Sequence, residues 1–306
     1  MNRCGRVGLT IVSVLVVTPA ALADCPVIKA EIRSAIEAGD TAPYPNLHNE
    51  LIATSDCTVA TRDQLGRAMA LSVLKTLPED AKRTMIEADV LRYGRPWQAL
   101  VALGDVYYAE RAWAEAVPIY EEALDDMRDV VANPKPPPVS VERRTFQRAI
   151  EARALAPEYV ATRKSDDGPS GLASPVFRSI VVEAVPVPVR FETGSAALTA
   201  VGRAAVIDMH ASLARAASDY VAIVGHTDPR GSETYNADLS LRRAQTVAVT
   251  LRQLGYVGAL DVYGFGESQR FKPSDPTRYT QEELWALDRR VEYRLEPPDG
   301  ASSTAE

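Results

Sequence analysis

The densest chemistry in this chain lies between residues 225 and 243. It begins at Gly225-His226-Thr227-Asp228-Pro229-Arg230-Gly231-Ser232 and runs on to Arg243. A carboxylate, Asp228, stands in a polar turn after the apolar run Tyr220 to Val224, which reads as a buried strand. A guanidinium, Arg243, follows on what reads as a long helix. Asn236 and Arg243 are seven residues apart and share a helix face with Ser240. A strand, a polar turn and a helix start make a place to hold a small charged group. An anion and a cation there suit a zwitterion: the carboxylate takes an ammonium, and the guanidinium takes a carboxylate through its fork. Each residue taken singly has a plainer reading. Asp228 before Pro229 opens a turn in which Gly231 supplies the positive φ, Arg243 pairs on the surface with Asp238 or Glu233, and Asn236 is a helix-surface residue. His226, with no second His or Cys nearby in sequence, is a poor metal ligand, and no metal or cofactor is expected.

The block resembles the signature of the OmpA-like domain, the peptidoglycan-binding module of outer membrane protein A, peptidoglycan-associated lipoprotein and flagellar stator proteins. Phe191-Glu192-Thr193-Gly194-Ser195-Ala196-Ala197-Leu198 precedes it, and Gly264-Phe265-Gly266-Glu267 and Arg289-Arg290-Val291-Glu292 follow it in the family's order. The resemblance covers residues 184–296. It implies that Asp228 and Arg243 clamp the free amino-acid end of diaminopimelate in the wall peptide. On that reading Asn236, Thr227 and backbone amides near the helix start orient the peptide.

The same span can be read from its residues alone. Val185, Val187, Val189 and Phe191 alternate as a strand, but Pro186 and Pro188 cannot donate ladder bonds, which puts its start at an edge or outside the sheet. Helices are expected over 199–217 and 232–254, with Ser232 as N-cap and Gly255 just past the end, and a short one over 281–288. Further strands are expected at 220–226, 260–263 and 291–295, the last half-exposed. Alternating strands and helices imply a two-layer α/β sandwich.

Residues 24–132 read as helical. Ile28, Ile32 and Ile36 form one stripe, and Leu65, Met69, Val73 and Leu74 another. Between Trp97 and Met127, the residues Leu103, Gly104, Tyr107, Ala116, Tyr120 and Ala123 fall at the spacing of a tetratricopeptide repeat; a plain αα-hairpin is the alternative. Gly104 and Ala116 would let two helices approach, with Tyr107 and Tyr120 filling the groove. A Pro-rich segment at 133–138, a helix over 141–155 and a Ser/Gly/Asp/Pro-rich stretch at 164–175 give a linker over 133–183. The fold class is thus α+β: a helical tetratricopeptide-like domain, a linker, the OmpA-like domain at 184–296, and a polar, disordered tail at 297–306.

Residues 1–23 read as a signal peptide, with Arg3 and Arg6, an apolar run from Leu9 to Val17 and the cleavage motif Ala21-Leu22-Ala23. No other stretch approaches a membrane helix in length. Leu22-Ala23-Asp24-Cys25 resembles a lipoprotein processing site but departs from it at Asp24, where a small residue is expected. A disulfide between Cys25 and Cys57, the two cysteines left after cleavage, accounts for more. The whole chain carries 34 basic and 41 acidic residues; without Arg3 and Arg6 its net charge is −9. That balance argues against nucleic acid or anionic lipid as partners. Neither a Ser/His or Cys/His pair nor a distinct carboxylate pair supports a wall enzyme, and repeated barrel strands are lacking over 24–160. The expectation is a non-enzymatic periplasmic protein, associated with the outer membrane or wall, that binds peptidoglycan and presents a helical scaffold to a protein partner. The alternative is an adaptor of an envelope or secretion complex in which wall binding is secondary or lost.

Overall fold

The computed structural model describes residues 24–298, apart from 159, 163, 166, 167, 170, 174–176 and 181. The expected signal peptide at 1–23, and all but the start of the expected tail, lie outside the described residues. Two compact units divide after Leu65.

In the first unit, α1 (Cys25–Ala38) starts where the Asp24 carboxylate accepts the Val27 amide at 3.1 Å and ends at Gly39, whose φ of 67° a side chain would resist. It buries Ile28, Ile32 and Ala35, and α2 (Tyr44–Ala53) buries Tyr44, Leu47 and Leu51. Cys25 and Cys57 are disulfide-bonded with Cα atoms 5.1 Å apart. Replacing both by serine should cost this unit about 4 kcal/mol in the chain-entropy model. Thermal unfolding of the double variant beside the parent, with and without reductant, measures the difference.

The second unit begins within α3 (Val59–Leu74), whose stripe buries Met69 and Val73. A short α4 (Arg83–Met85) runs into a π-turn at Ile86–Val90. Then α5 (Trp97–Ala109) and α6 (Trp113–Arg128) pack together. A Cβ on Gly104 would lie 2.6 Å from the Tyr120 ring, so the glycine sets how closely the two helices approach. Tyr120 is fully buried as expected. Its expected companion Tyr107 is not: its hydroxyl donates to Glu87 at 2.8 Å near the surface, and Tyr108 takes the buried position.

The expected linker is where structure and sequence reading part. Helix α7 (Val139–Leu155) packs against α6 on one side and against α10 (Gln281–Asp288) of the C-terminal region on the other. One apolar core runs from Leu100 and Tyr120 through Phe146 and Ile150 to Tyr279 and Leu287. The Ser/Gly/Asp/Pro-rich stretch carries the short strands β1 (Lys164–Ser165) and β2 (Gly168–Pro169), and described residues in and after it are hydrogen-bonded to the helices. The Gly171 amide donates to Asp125 at 2.6 Å, the Leu172 amide to buried Glu121 at 3.0 Å and the Ser179 amide to buried Glu142 at 2.9 Å. Composition signals flexibility only when nothing accepts the backbone amides; here buried carboxylates on α6 and α7 do.

The C-terminal sheet has the order β3-β6-β4-β5, built from β3 (Val185–Val187), β4 (Tyr220–Gly225), β5 (Ala259–Gly264) and β6 (Val291–Arg294). Strands β4 and β5 are parallel; the other pairs are antiparallel. Strand β3 is at an edge, where Pro186 can be tolerated. Helices α8 (Ala200–Arg215) and α9 (Glu233–Gln253) bury Val206, Met209, Leu213, Val247 and Leu251 against Val221 and Ile223. Ser232 caps α9, accepting from the Tyr235 amide at 3.2 Å, and Gly255 follows its end at φ 99°. Strand β6 was expected to be half-exposed. It is central instead, and its Glu292 is buried, accepting from Arg290 Nε at 2.7 Å and Arg294 Nη2 at 3.1 Å. No helix among the described residues is long and apolar enough to cross a membrane.

Candidate functional site

The site forms where β4 ends. The Thr227 amide donates to the Gly266 carbonyl at 2.9 Å and the His226 amide to the Arg290 carbonyl at 3.0 Å, so the turn is held on both sides by neighbouring loops. Asp228 is buried. Its carboxylate accepts from the Arg230 amide at 3.0 Å, from Arg230 Nε at 3.2 Å and Nη2 at 2.7 Å, and from Arg289 Nη1 at 2.8 Å. Those four bonds fill the acceptor positions of a carboxylate. Burial opposes its ionisation, yet the hydrogen bonds from Arg230 and Arg289 hold its pKa down to about 2. The sign follows: the pairing stabilises the fold fully above the ordinary carboxylate value of about 4 and is lost as pH falls through about 2. An NMR titration of the side-chain carboxyl should therefore find Asp228 still ionised at about pH 3, where an ordinary aspartate is mostly protonated.

Arg243 projects from α9. Its Nε donates to the Ser195 carbonyl at 3.0 Å, and its guanidinium lies 5.0 Å from the centroid of the Phe191 ring. Both partners belong to the Phe191–Leu198 motif, which folds back through a bridge between Phe191 and Leu198. Arg243 forms no ion pair among the described residues, and its two Nη groups donate no hydrogen bond there. The surface alternative is not adopted: Asp238 pairs with Arg242 at 3.1 Å. Burial lowers the pKa of Arg243, while Tyr235 and Asp228 oppose that shift.

Asn236 is buried rather than on the helix surface. Its Nδ2 donates to the Asp228 carbonyl at 3.3 Å and to Glu267 Oε2 at 2.5 Å. It thereby ties the turn to the Gly264–Glu267 loop. The Thr227 hydroxyl is buried with no hydrogen-bond partner among the described residues. His226 is also buried. Neither ring nitrogen is hydrogen-bonded there, and Nε2 lies 3.6 Å from Glu292. Burial pushes its pKa down, so the imidazole is neutral at pH 7. No cluster of His, Cys, Asp or Glu among the described residues could hold a metal ion.

The sequence reading paired Asp228 with Arg243 alone and missed the arginines on the carboxylate. Arg289 lay within a motif already quoted. Arg230, to which the sequence reading gave no role, covers the carboxylate and stacks 4.8 Å from the Trp285 ring centroid. Beside the turn, a cavity of about 480 Å³ is lined by His226, Arg243 and Arg289 and closed on another side by the end of α7.

Residues 190–282 match the model of the OmpA family. This stretch is an OmpA family domain. Among similar proteins, the peptidoglycan-associated lipoprotein of Pseudomonas putida is 35% identical over 89 residues, 29% of this chain and 51% of that protein. That of Legionella pneumophila is 41% identical over 78 residues, 25% of this chain and 41% of that protein. The matches thus span about half or less of these relatives' own length. The crystal structure of the peptidoglycan-associated lipoprotein from Burkholderia pseudomallei aligns with 37% of this chain and 89% of its own, at 24% identity and a TM-score of 0.30. The match begins at Arg190, so it takes in the Phe191–Leu198 motif, the turn and α9, and leaves α1 to α7 outside.

Proposed function

We propose that this protein binds peptidoglycan noncovalently in the periplasm, with the diaminopimelate of the stem peptide held at the turn after β4. The observation that carries the reading is Arg243: a guanidinium fixed by Ser195 and Phe191, whose Nη groups are uncommitted among the described residues, beside a buried and ionised Asp228. The Nη groups take the ligand carboxylate as a bidentate pair. The ligand ammonium takes Asp228 by displacing Arg230, whose side chain is 54% exposed and can turn into water. One cation replaces another, so the buried carboxylate is never left unpaired. Arg289 stays on Asp228 throughout, and Asn236 and Thr227 set the turn's backbone. Envelope relatives of the domain support the location at the outer membrane or wall.

The helical part then serves as a scaffold anchored to the wall and presented to a protein partner. Co-sedimentation of the chain from Asp24 onward with purified diaminopimelate-type sacculi tests the reading. Pelleting that free diaminopimelate competes away is expected. A folded chain left in the supernatant would overturn wall binding and leave the adaptor of an envelope complex.

A further inference from the structure

The 480 Å³ cavity is not made by the OmpA-like domain alone. Ala154, Leu155 and Pro157, at the end of α7, form one wall; Pro186 and Pro188 of the edge-strand segment and Ala286 of α10 form others. Arg243 and Arg289 line the same space, so it is continuous with the proposed clamp. Three features show that the α7 wall is built in place. The carbonyls of Ala156 and Pro157, at the helix end, accept from Arg190, the latter at 2.6 Å. Arg153 of α7 pairs with buried Asp208 of α8 at 2.9 Å. The Thr162 amide and hydroxyl, just past the helix, donate to the same Asp208 at 2.9 and 2.8 Å. Arg190, at the start of the OmpA-like domain, thus holds the chain at the C-cap of α7 and at the residue after it.

The wall formed by Ala154, Leu155, Pro157, Pro186, Pro188 and Ala286 is apolar, arginines and glutamates line much of the rest, and His226 is a buried polar group whose ring nitrogens have no hydrogen-bond partner among the described residues. The prolines add apolar rings and remove amide donors, so this edge offers a surface for a side chain rather than ladder bonds for another strand. Its size suits a small-molecule site with a few converging polar groups. We propose that this cavity is a second subsite, in which the end of α7 holds a small apolar residue amide-linked to the clamped diaminopimelate. This rests on the wall-peptide reading of the clamp. It gives α7 a part in ligand selection, although α7 lies outside the family domain.

The test compares two probes by calorimetry on the chain from Asp24 onward. One is free meso-diaminopimelate; the other is the stem tetrapeptide in which alanine follows diaminopimelate. The tetrapeptide should bind about tenfold more tightly, the worth of burying one small apolar group. Ala154→Trp, filling the cavity from α7, should remove that advantage and leave the affinity for free diaminopimelate unchanged. Ala286→Trp fills it from the opposite wall and decides the matter if circular dichroism shows the first variant unfolded. Equal affinity of the parent for both probes, or an advantage that survives in a folded filled variant, overturns the subsite while the clamp stands. Binding of neither probe overturns both.

Discussion

Arg243→Ala should weaken binding to sacculi about a hundredfold while the domain stays folded, because truncating one member of a desolvated charge pair costs 2 to 5 kcal/mol. Arg243 contributes little to the native contacts: one bond to the Ser195 carbonyl and one face against Phe191. Asp228→Asn should lose binding to a similar extent, since an amide cannot hold an ammonium as a carboxylate does. It should also loosen Arg289, which Asp228 holds at 2.8 Å. Arg230→Ala should act in the opposite direction. It frees Asp228 from an internal cation that competes with the ligand ammonium, and affinity should rise. Co-sedimentation of the three variants at matched concentration checks all three signs. A folded Arg243→Ala variant that pellets like the parent would sink the clamp, and weakened pelleting of Arg230→Ala would show that Arg230 belongs to the binding surface.

The second large effect is on stability. Glu151→Leu should destabilise the second unit by about 3 kcal/mol, because several buried donors lose their acceptor at once. Glu151 of α7 is fully buried, and among the described residues no arginine or lysine pairs with it. Its carboxylate instead accepts from the Tyr279 hydroxyl at 2.7 Å, the Ser274 amide at 2.7 Å, Gln147 Nε2 at 3.0 Å and the Tyr108 hydroxyl. Three parts of the chain meet there: α5, α7 and the loop before α10. Glu151→Gln keeps an acceptor of the same shape and should lose clearly less. Urea unfolding gives the two differences. Hydrogen exchange should localise the first, with the Ser274 amide losing protection in the leucine variant. Equal stability of all three proteins would mean that the apolar contacts of Phe146 and Ile150 join these elements without the buried carboxylate.

Much of this was legible beforehand because it is local. Ser232 and Gly255 bound α9 through cap chemistry that needs only neighbouring residues. Alternation marked the strands, and the two prolines placed β3 at an edge. The pairing of Cys25 with Cys57 followed from there being two cysteines after the expected signal peptide. What failed has a common cause. Buried Glu292 is met by Arg290 and Arg294 beside it, but Glu151, Glu121 and Glu142 are charged residues that a pattern reading sends to the surface, yet are buried because distant donors meet them. Those donors are 30 to more than 100 residues away in most cases, and no spacing rule relates them. The same holds within the expected linker: its prolines and glycines were visible, and the carboxylates that accept the amides of Gly171, Leu172 and Ser179 were not.

The amino-acid sequence by itself determined the α+β class, the OmpA-like domain and the two residues proposed as the clamp, since these depend on motifs whose members lie within a turn and the helix after it. Only the tertiary structure decided how the clamp is set. It put Arg230 and Arg289 on Asp228, withdrew Asn236 into the turn's support, left the Nη groups of Arg243 uncommitted among the described residues and brought the end of α7 to the cavity beside them. Each of these is a competition among several cations and donors for a few buried acceptors. Proximity in space, set by packing of the whole unit, decides that competition, and chain order does not.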